Sequence, residues 1–184
     1  MKRIAMFVLG VMAFSFSIGA WAQAQDAAID TALLAAPAGL RDGATVIKWK
    51  ADFTYDTLRK GTNRLVCYDR TGLPEQQPFS VECTSIANLD RVAQNLKYEA
   101  MGDKAKTQAA LDALEKDGTR VKPEFGSVWY HALGPDRDHA HIHLTIAVPG
   151  ATAQSLGLPD NNKAGTVWIM NAGTSTAHLM TPGA

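Results

Sequence analysis

From His139 to Val148 polar and apolar residues mostly alternate along the chain: His139-Ala140-His141-Ile142-His143-Leu144-Thr145-Ile146-Ala147-Val148. A period of two is the pattern of a β-strand with two unlike faces. Ala140, Ile142, Leu144, Ile146 and Val148 are expected to face the core. His139, His141, His143 and Thr145 then face the other way, so three of the chain's five histidines project from one side of one strand.

The segment before it reads as the partner of a hairpin. Val128 to Leu133 has strand character, and Gly134-Pro135-Asp136-Arg137-Asp138 is rich in turn formers. If the loop has five residues, Leu133 pairs with His139 and His131 with His141, which brings His131 onto the histidine face; an even-length loop would turn His131 to the opposite face. Alternate side chains on a strand stand about 6.6 Å apart, so His139 and His143 are separated by about 13 Å. Metal–nitrogen bonds are about 2.0–2.1 Å, and three histidines in a straight row do not converge on one ion. The expected ligand set is therefore His131, His139, His141 and His143, with His141 shared, and the expected ion is divalent Zn or Cu. Asp136 and Asp138 stand where they can accept the second nitrogen of a neighbouring imidazole, but a turn of this kind is more often a solvated Asp-rich loop, and that is the favoured account. The competing accounts are a small-molecule pocket lined by imidazoles without metal, and a solvated polar sheet face.

The first residues carry a different message. Met1-Lys2-Arg3 is basic, Ile4 to Ile18 is apolar, and Gly19-Ala20-Trp21-Ala22-Gln23 holds an Ala-x-Ala site. This is the layout of a secretory signal peptide, residues 1–22, and the apolar run is short against the roughly 20 residues of a membrane span. Residues 23–184 are then one exported domain, periplasmic or secreted, with no membrane partner after cleavage. Without Lys2 and Arg3 the chain has 16 basic residues against 18 acidic ones, which provides no electrostatic footprint for nucleic acid. In an oxidising compartment the two cysteines, Cys67 and Cys83, read most economically as a disulfide. A thiol metal site and two free thiols are the alternatives, and no Cys-x-x-Cys spacing supports either.

Between these landmarks the pattern alternates. Asp26 to Ala36 reads as a short amphipathic helix ended by Pro37 and Gly39. Thr45 to Trp49 reads as a strand, Phe53-Thr54-Tyr55 as its extension or the start of another, Gly61-Thr62-Asn63 as a turn, and Arg64 to Tyr68 as a strand. Asp69 to Ser80 reads as a loop tied at both ends by the cysteines. A helix capped by Thr84 carries Ile86, Leu89, Val92, Ala93 and Leu96, and a second carries Ala110, Leu111 and Leu114 and stops at Gly118. After the hairpin come a short helix at Thr152 to Leu156 and strands at Val167 to Met170 and Thr176 to Met180. The fold class these imply is α+β, a single domain with an antiparallel sheet and helices packed on one face.

Some of these residues resemble a known pattern. Gly61-Thr62-Asn63 before Cys67, the proline-containing loop to Cys83 and the helix after it, with Val167-Trp168-Ile169-Met170, Gly173-Thr174 and Ala177-His178-Leu179-Met180, resemble a family of small exported bacterial proteins with no assigned activity. The resemblance implies export and a compact domain; that family lacks the three alternating histidines, and no catalytic residue carries over. His143-Leu144-Thr145 looks like one half of the paired His-x-Thr signature of two-histidine phosphoesterases, but His178-Leu179-Met180 lacks the second hydroxyl. His141-Ile142-His143 resembles the first metal pair of cupin barrels, whose downstream Glu is missing here. The functional expectation is an exported protein that binds a metal ion or small molecule on its histidine face. A metal-assisted or acid–base hydrolytic enzyme and a structural or interaction module without a ligand site are the rivals.

Overall fold

The computed structural model describes residues 22–181, so the signal-peptide reading falls almost wholly outside the described residues. Eight strands form one sheet: Thr45–Trp49 (β1), Tyr55–Arg59 (β2), Leu65–Asp69 (β3), Phe79–Ser85 (β4), Val128–Gly134 (β5), His141–Ala147 (β6), Trp168–Met170 (β7) and His178–Met180 (β8). Their order is β2-β1-β3-β4-β5-β6-β8-β7. The β1–β3 pair is parallel and every other neighbouring pair is antiparallel. A helix over residues 22–32 (α1), then Leu89–Glu99 (α2), Lys104–Asp117 (α3) and the short Ala153–Leu156 (α4) complete the α+β fold. Among the described residues no helix is long and apolar enough to cross a membrane.

The register gives the sheet two unlike faces, because residues directly paired across strands lie on the same side. One file runs Cys67–Cys83–Tyr130–Leu144 across β3, β4, β5 and β6. On this side Val46, Val81, Cys67, Cys83 and Ala132 are buried against Ala32, Leu33, Ala35 and Ala36 of the N-terminal segment. The sulfurs of Cys67 and Cys83 are 2.10 Å apart, so the expected disulfide is present. The other file, one residue along, runs Tyr68–Glu82–His131–His143. On this side Val66 and Tyr68 pack against Leu89, Val92 and Leu96 of α2. The helix α2 therefore sits over the polar file.

Local chemistry sets the helix ends. Asp103 accepts from the backbone N–H groups of Ala105 and Lys106 at 3.1 and 3.2 Å, and Gly118 closes α3 in the left-handed conformation at φ 78°. Ser85, not Thr84, caps the entry to the second helix, through a turn of 3-10 helix at Ile86–Asn88. The expected loop from Asp69 to Ser80 ends earlier than its sequence implied, because β4 starts at Phe79.

The turn at Gly61-Thr62-Asn63 is docked rather than free. Gly43 O accepts from Thr62 N and Asn63 N at 2.8 and 2.9 Å, and Leu40 O accepts from the Asn63 amide at 2.9 Å. A Cβ at position 61 would lie 2.3 Å from Gly43 O and 2.4 Å from Ala44 C, both backbone atoms. Gly61→Ala must therefore displace the start of β1, at a cost of about 1–3 kcal/mol by analogy with overpacked sites. Urea unfolding is the measurement, and an unchanged midpoint would show that the two segments separate freely.

Candidate functional site

The file Tyr68–Glu82–His131–His143 is the scaffold of the site. Glu82 is 1% exposed, and three partners surround its carboxylate. The Tyr68 hydroxyl donates to Oε1, Arg70 Nη1 donates to Oε2 at 2.8 Å, and His131 Nδ1 stands 3.2 Å from the same oxygen. Arg70 Nη2 reaches on to Glu99 of α2, which ties the helix to the sheet. Burial by itself would raise the Glu82 pKa, but Arg70, His131 and the hydrogen bonds outweigh it and hold the carboxyl down at about 2. Burial and the Glu82 charge push the Tyr68 phenol well above its ordinary value, so it remains a donor. Glu82 is a fixed anion inside the protein, with His131 the partner nearest the solvent.

The histidines do not lie as the strand pattern alone predicted. His131 pairs with His143, and His141 pairs with Leu133. The register is displaced by two residues from the expected one, because β6 begins at His141 rather than His139. His139 belongs to the turn, where its Nδ1 lies 2.7 and 2.9 Å from the two oxygens of Asp136. A carboxylate–imidazole contact thus forms in the turn, away from the strand, where the sequence favours a solvated Asp-rich loop. The displacement is an even number of residues, so His131, His141 and His143 still share a face. The ring centroids of His131 and His143 are 5.9 Å apart, and Trp129 stacks on His131 at 6.5 Å with 14° between planes. His141 is exposed and lies opposite Leu133, so the residue that adjoins His131 across the strands is His143 and not His141.

The core-facing assignment of β6 also changes. Ile142 is 55% exposed, whereas Thr145 and Ala147 on the histidine face are buried. The strand runs from solvent at His141 to the interior under α2 at Ala147, so depth changes along the strand as well as across it. His143 lies midway. Burial first, and then the charges of His131, His178 and His141, lower its pKa, which favours the neutral ring near neutrality.

Where β6 meets β8 the file opens into a cavity of about 160 Å³. Arg91, Trp129, His131, Thr145, Thr176 and His178 are among its walls. His178 Nδ1 is 2.8 Å from Thr176 O, and since a carbonyl only accepts, that nitrogen carries the proton. Among the described residues no group of three or more His, Cys, Asp or Glu side chains is arranged to hold a metal ion. The four expected ligands are thus split: His131 and His143 adjoin, His141 stands at the exposed end, and His139 is committed to the turn.

No family of known proteins, no characterised protein and no solved structure matches this chain. The site is accordingly read from its own geometry. The sequence pattern did not single out Tyr68, Arg70, Glu82, Glu99 or Arg91, and it raised His178 only as the failed half of a two-histidine signature. A signal for Glu82 exists in the alternation Phe79-Ser80-Val81-Glu82-Cys83-Thr84, which places a carboxylate on the opposite side of a strand from Cys83.

Proposed function

We propose that this is an exported protein, periplasmic or secreted, that binds a small molecule in the cavity between the histidine face and α2. The observation that carries the proposal is the pairing of Glu82 with His131. A buried, permanently charged carboxylate at Nδ1 fixes the imidazole orientation and its proton, leaving Nε2 as the free recognition atom. With His178 similarly fixed by Thr176 O, the cavity has two oriented imidazoles and an aromatic wall in Trp129. A small number of fixed polar groups beside an aromatic surface is the usual composition of a small-molecule site. A Zn or Cu ion on His131 and His143 would need a further ligand from outside the protein groups described, whereas the small-molecule reading needs none.

The experiment is imidazole ¹H–¹⁵N NMR of the mature protein during titration with small probes of differing charge. Ala147 is 3% exposed and lines the cavity, so Ala147→Leu fills it. At least one class of probe should shift His131 and His178 saturably without moving His139, and Ala147→Leu should lose the response while retaining its circular dichroism. If no class moves the two resonances, the cavity is not a binding site. The Glu82–His131 pair favours one further reading, acid–base chemistry on the bound molecule with Nε2 as the base. A bound probe recovered chemically altered from the wild type and intact from His131→Ala would establish it.

A further inference from the structure

Arg91 is the charged wall of the cavity that the histidine file does not explain. It is 4% exposed, and its guanidinium is held by neutral oxygens: Nη1 donates to Val121 O and, at 3.2 Å, to Ser175 Oγ, and Nη2 donates to Thr176 Oγ1 at 2.8 Å. Among the described residues no carboxylate lies within ion-pair distance of it. Arg70, the other arginine of the cavity, is by contrast paired with both Glu82 and Glu99. A buried cation without a counter-charge is costly, and proteins that retain one commonly use it.

A guanidinium has five N–H groups, and the three hydrogen bonds above leave two without a partner among the described residues. Glu115 is the nearby acid that moderates the charge, yet its carboxylate is occupied by Ser175, accepting from the backbone N at 2.6 Å and from the hydroxyl. Glu82, which also lines the cavity, is already neutralised by Arg70 and hydrogen-bonded by Tyr68. Of the two arginines in the walls, Arg70 is thus matched by Glu82 and Glu99, and Arg91 has no carboxylate at ion-pair distance among the described residues. Burial and the nearby Arg120 lower the Arg91 pKa to about 10, against the pull of Glu115, and the group is still charged at neutral pH.

We infer that the ligand of this cavity is a small oxyanion, a carboxylate or a phosphate, whose oxygens take the two spare N–H groups of Arg91. The inference rests on the cavity being a ligand site and adds the class of ligand. Size agrees: a cavity of about 160 Å³ has room for an anion of a few heavy atoms. Guanidinium and oxyanion match as a charge-assisted, two-point contact.

The test uses wild-type mature protein and follows the Arg91 Nε–H and the His131 imidazole by NMR. Acetate, glycolate and inorganic phosphate are titrated, with acetamide and methylammonium as neutral and cationic controls. At least one oxyanion should shift Arg91 and His131 together along a saturating curve, and the controls should not. Arg91→Lys, which keeps the charge but not the fork, should weaken that binding by about 10- to 100-fold, the usual range for a hydrogen bond to a charged group. If Arg91→Lys does not fold, Ala147→Leu replaces it and should abolish both shifts. Controls that move His131 while Arg91 stays still would overturn the oxyanion inference and leave the cavity as a ligand site. No movement of either resonance by any probe would overturn both. A linear, unsaturable drift with anion concentration counts against the inference as non-specific screening.

Discussion

Glu82→Ala is expected to destabilise the fold by about 3–5 kcal/mol, the cost of removing one partner from a buried ion pair. Among the described residues the carboxylate is the only group that Tyr68 OH donates to, it shares Arg70 with Glu99, and it anchors His131. Its loss strands a buried phenol and leaves Arg70 with one anion instead of two. The pH dependence separates this charge from simple packing. The folded carboxyl sits at about 2 and its ordinary value is 4.5, so between those values the unfolded chain binds the proton more readily. Glu82 thus stabilises fully above pH 4.5, and that contribution is lost as pH falls towards 2. His143 has the same sign at higher pH, because its folded pKa lies below the ordinary 6.5: its contribution is complete above 6.5 and declines as pH falls through the folded value. Urea unfolding from pH 8 to 3 should show both declines in the wild type. Glu82→Gln should shrink the lower one, to which the likewise lowered Asp52, Asp103, Glu115, Asp117 and Asp136 also contribute, and His143→Ala should remove the upper one. A loss under about 1 kcal/mol for Glu82→Ala would mean that Arg70 and Tyr68 find other partners and that the file is not organised by this residue.

The strands, the helices and the disulfide were largely legible in the sequence because each rests on local signals. Alternation placed β5 and β6, Gly118 stopped α3, and Thr152 began α4 through a side chain that accepts from Ser155 N at 3.0 Å. What failed was non-local. The β5–β6 register depends on where the turn tightens. Asp136 captures both the backbone N–H of His139, at 2.9 Å, and its ring, and so draws that histidine out of the strand. The depth gradient along β6 depends on where α2 crosses the sheet, which no period-two pattern records. The strand β4 was passed over although its alternation is clean. Its polar half, Ser80, Glu82 and Thr84, is buried rather than solvated, so an acidic residue in a short segment after Pro78 resembled a loop. Arg91 was hidden for a related reason: on a helix beginning Leu89-Asp90-Arg91 it reads as a solvated charge, and only the tertiary structure places it beneath Thr176.

The site and the disulfide share a register, and this gives the second large expected effect. Cys67 and Cys83 pair directly, and the adjacent pair is Tyr68 and Glu82. The bond therefore pins the alignment of β3 with β4 one residue away from the carboxylate that orients His131. Its loop spans 16 residues, and in the chain-entropy model closing a loop of this size stabilises by about 3 kcal/mol through the unfolded chain. Unfolding with and without reductant should differ by that amount, because reduction changes chain connectivity with little change of core volume. Both cysteines are 0% exposed, so reductant should reach them only as the protein opens. The rate of thiol release, followed by alkylation and mass spectrometry, is expected to match the rate of unfolding and to be independent of reductant concentration once that is high. In the reduced protein a register slip of β3 against β4 becomes less costly, and the His131 resonance, which reports the Glu82 contact, should broaden before the overall fold is lost. Rapid thiol release from protein that is still folded, or a stability difference under about 1 kcal/mol, would show that hydrogen bonding between the two strands and the Tyr68–Glu82–Arg70 cluster hold the register without the bond.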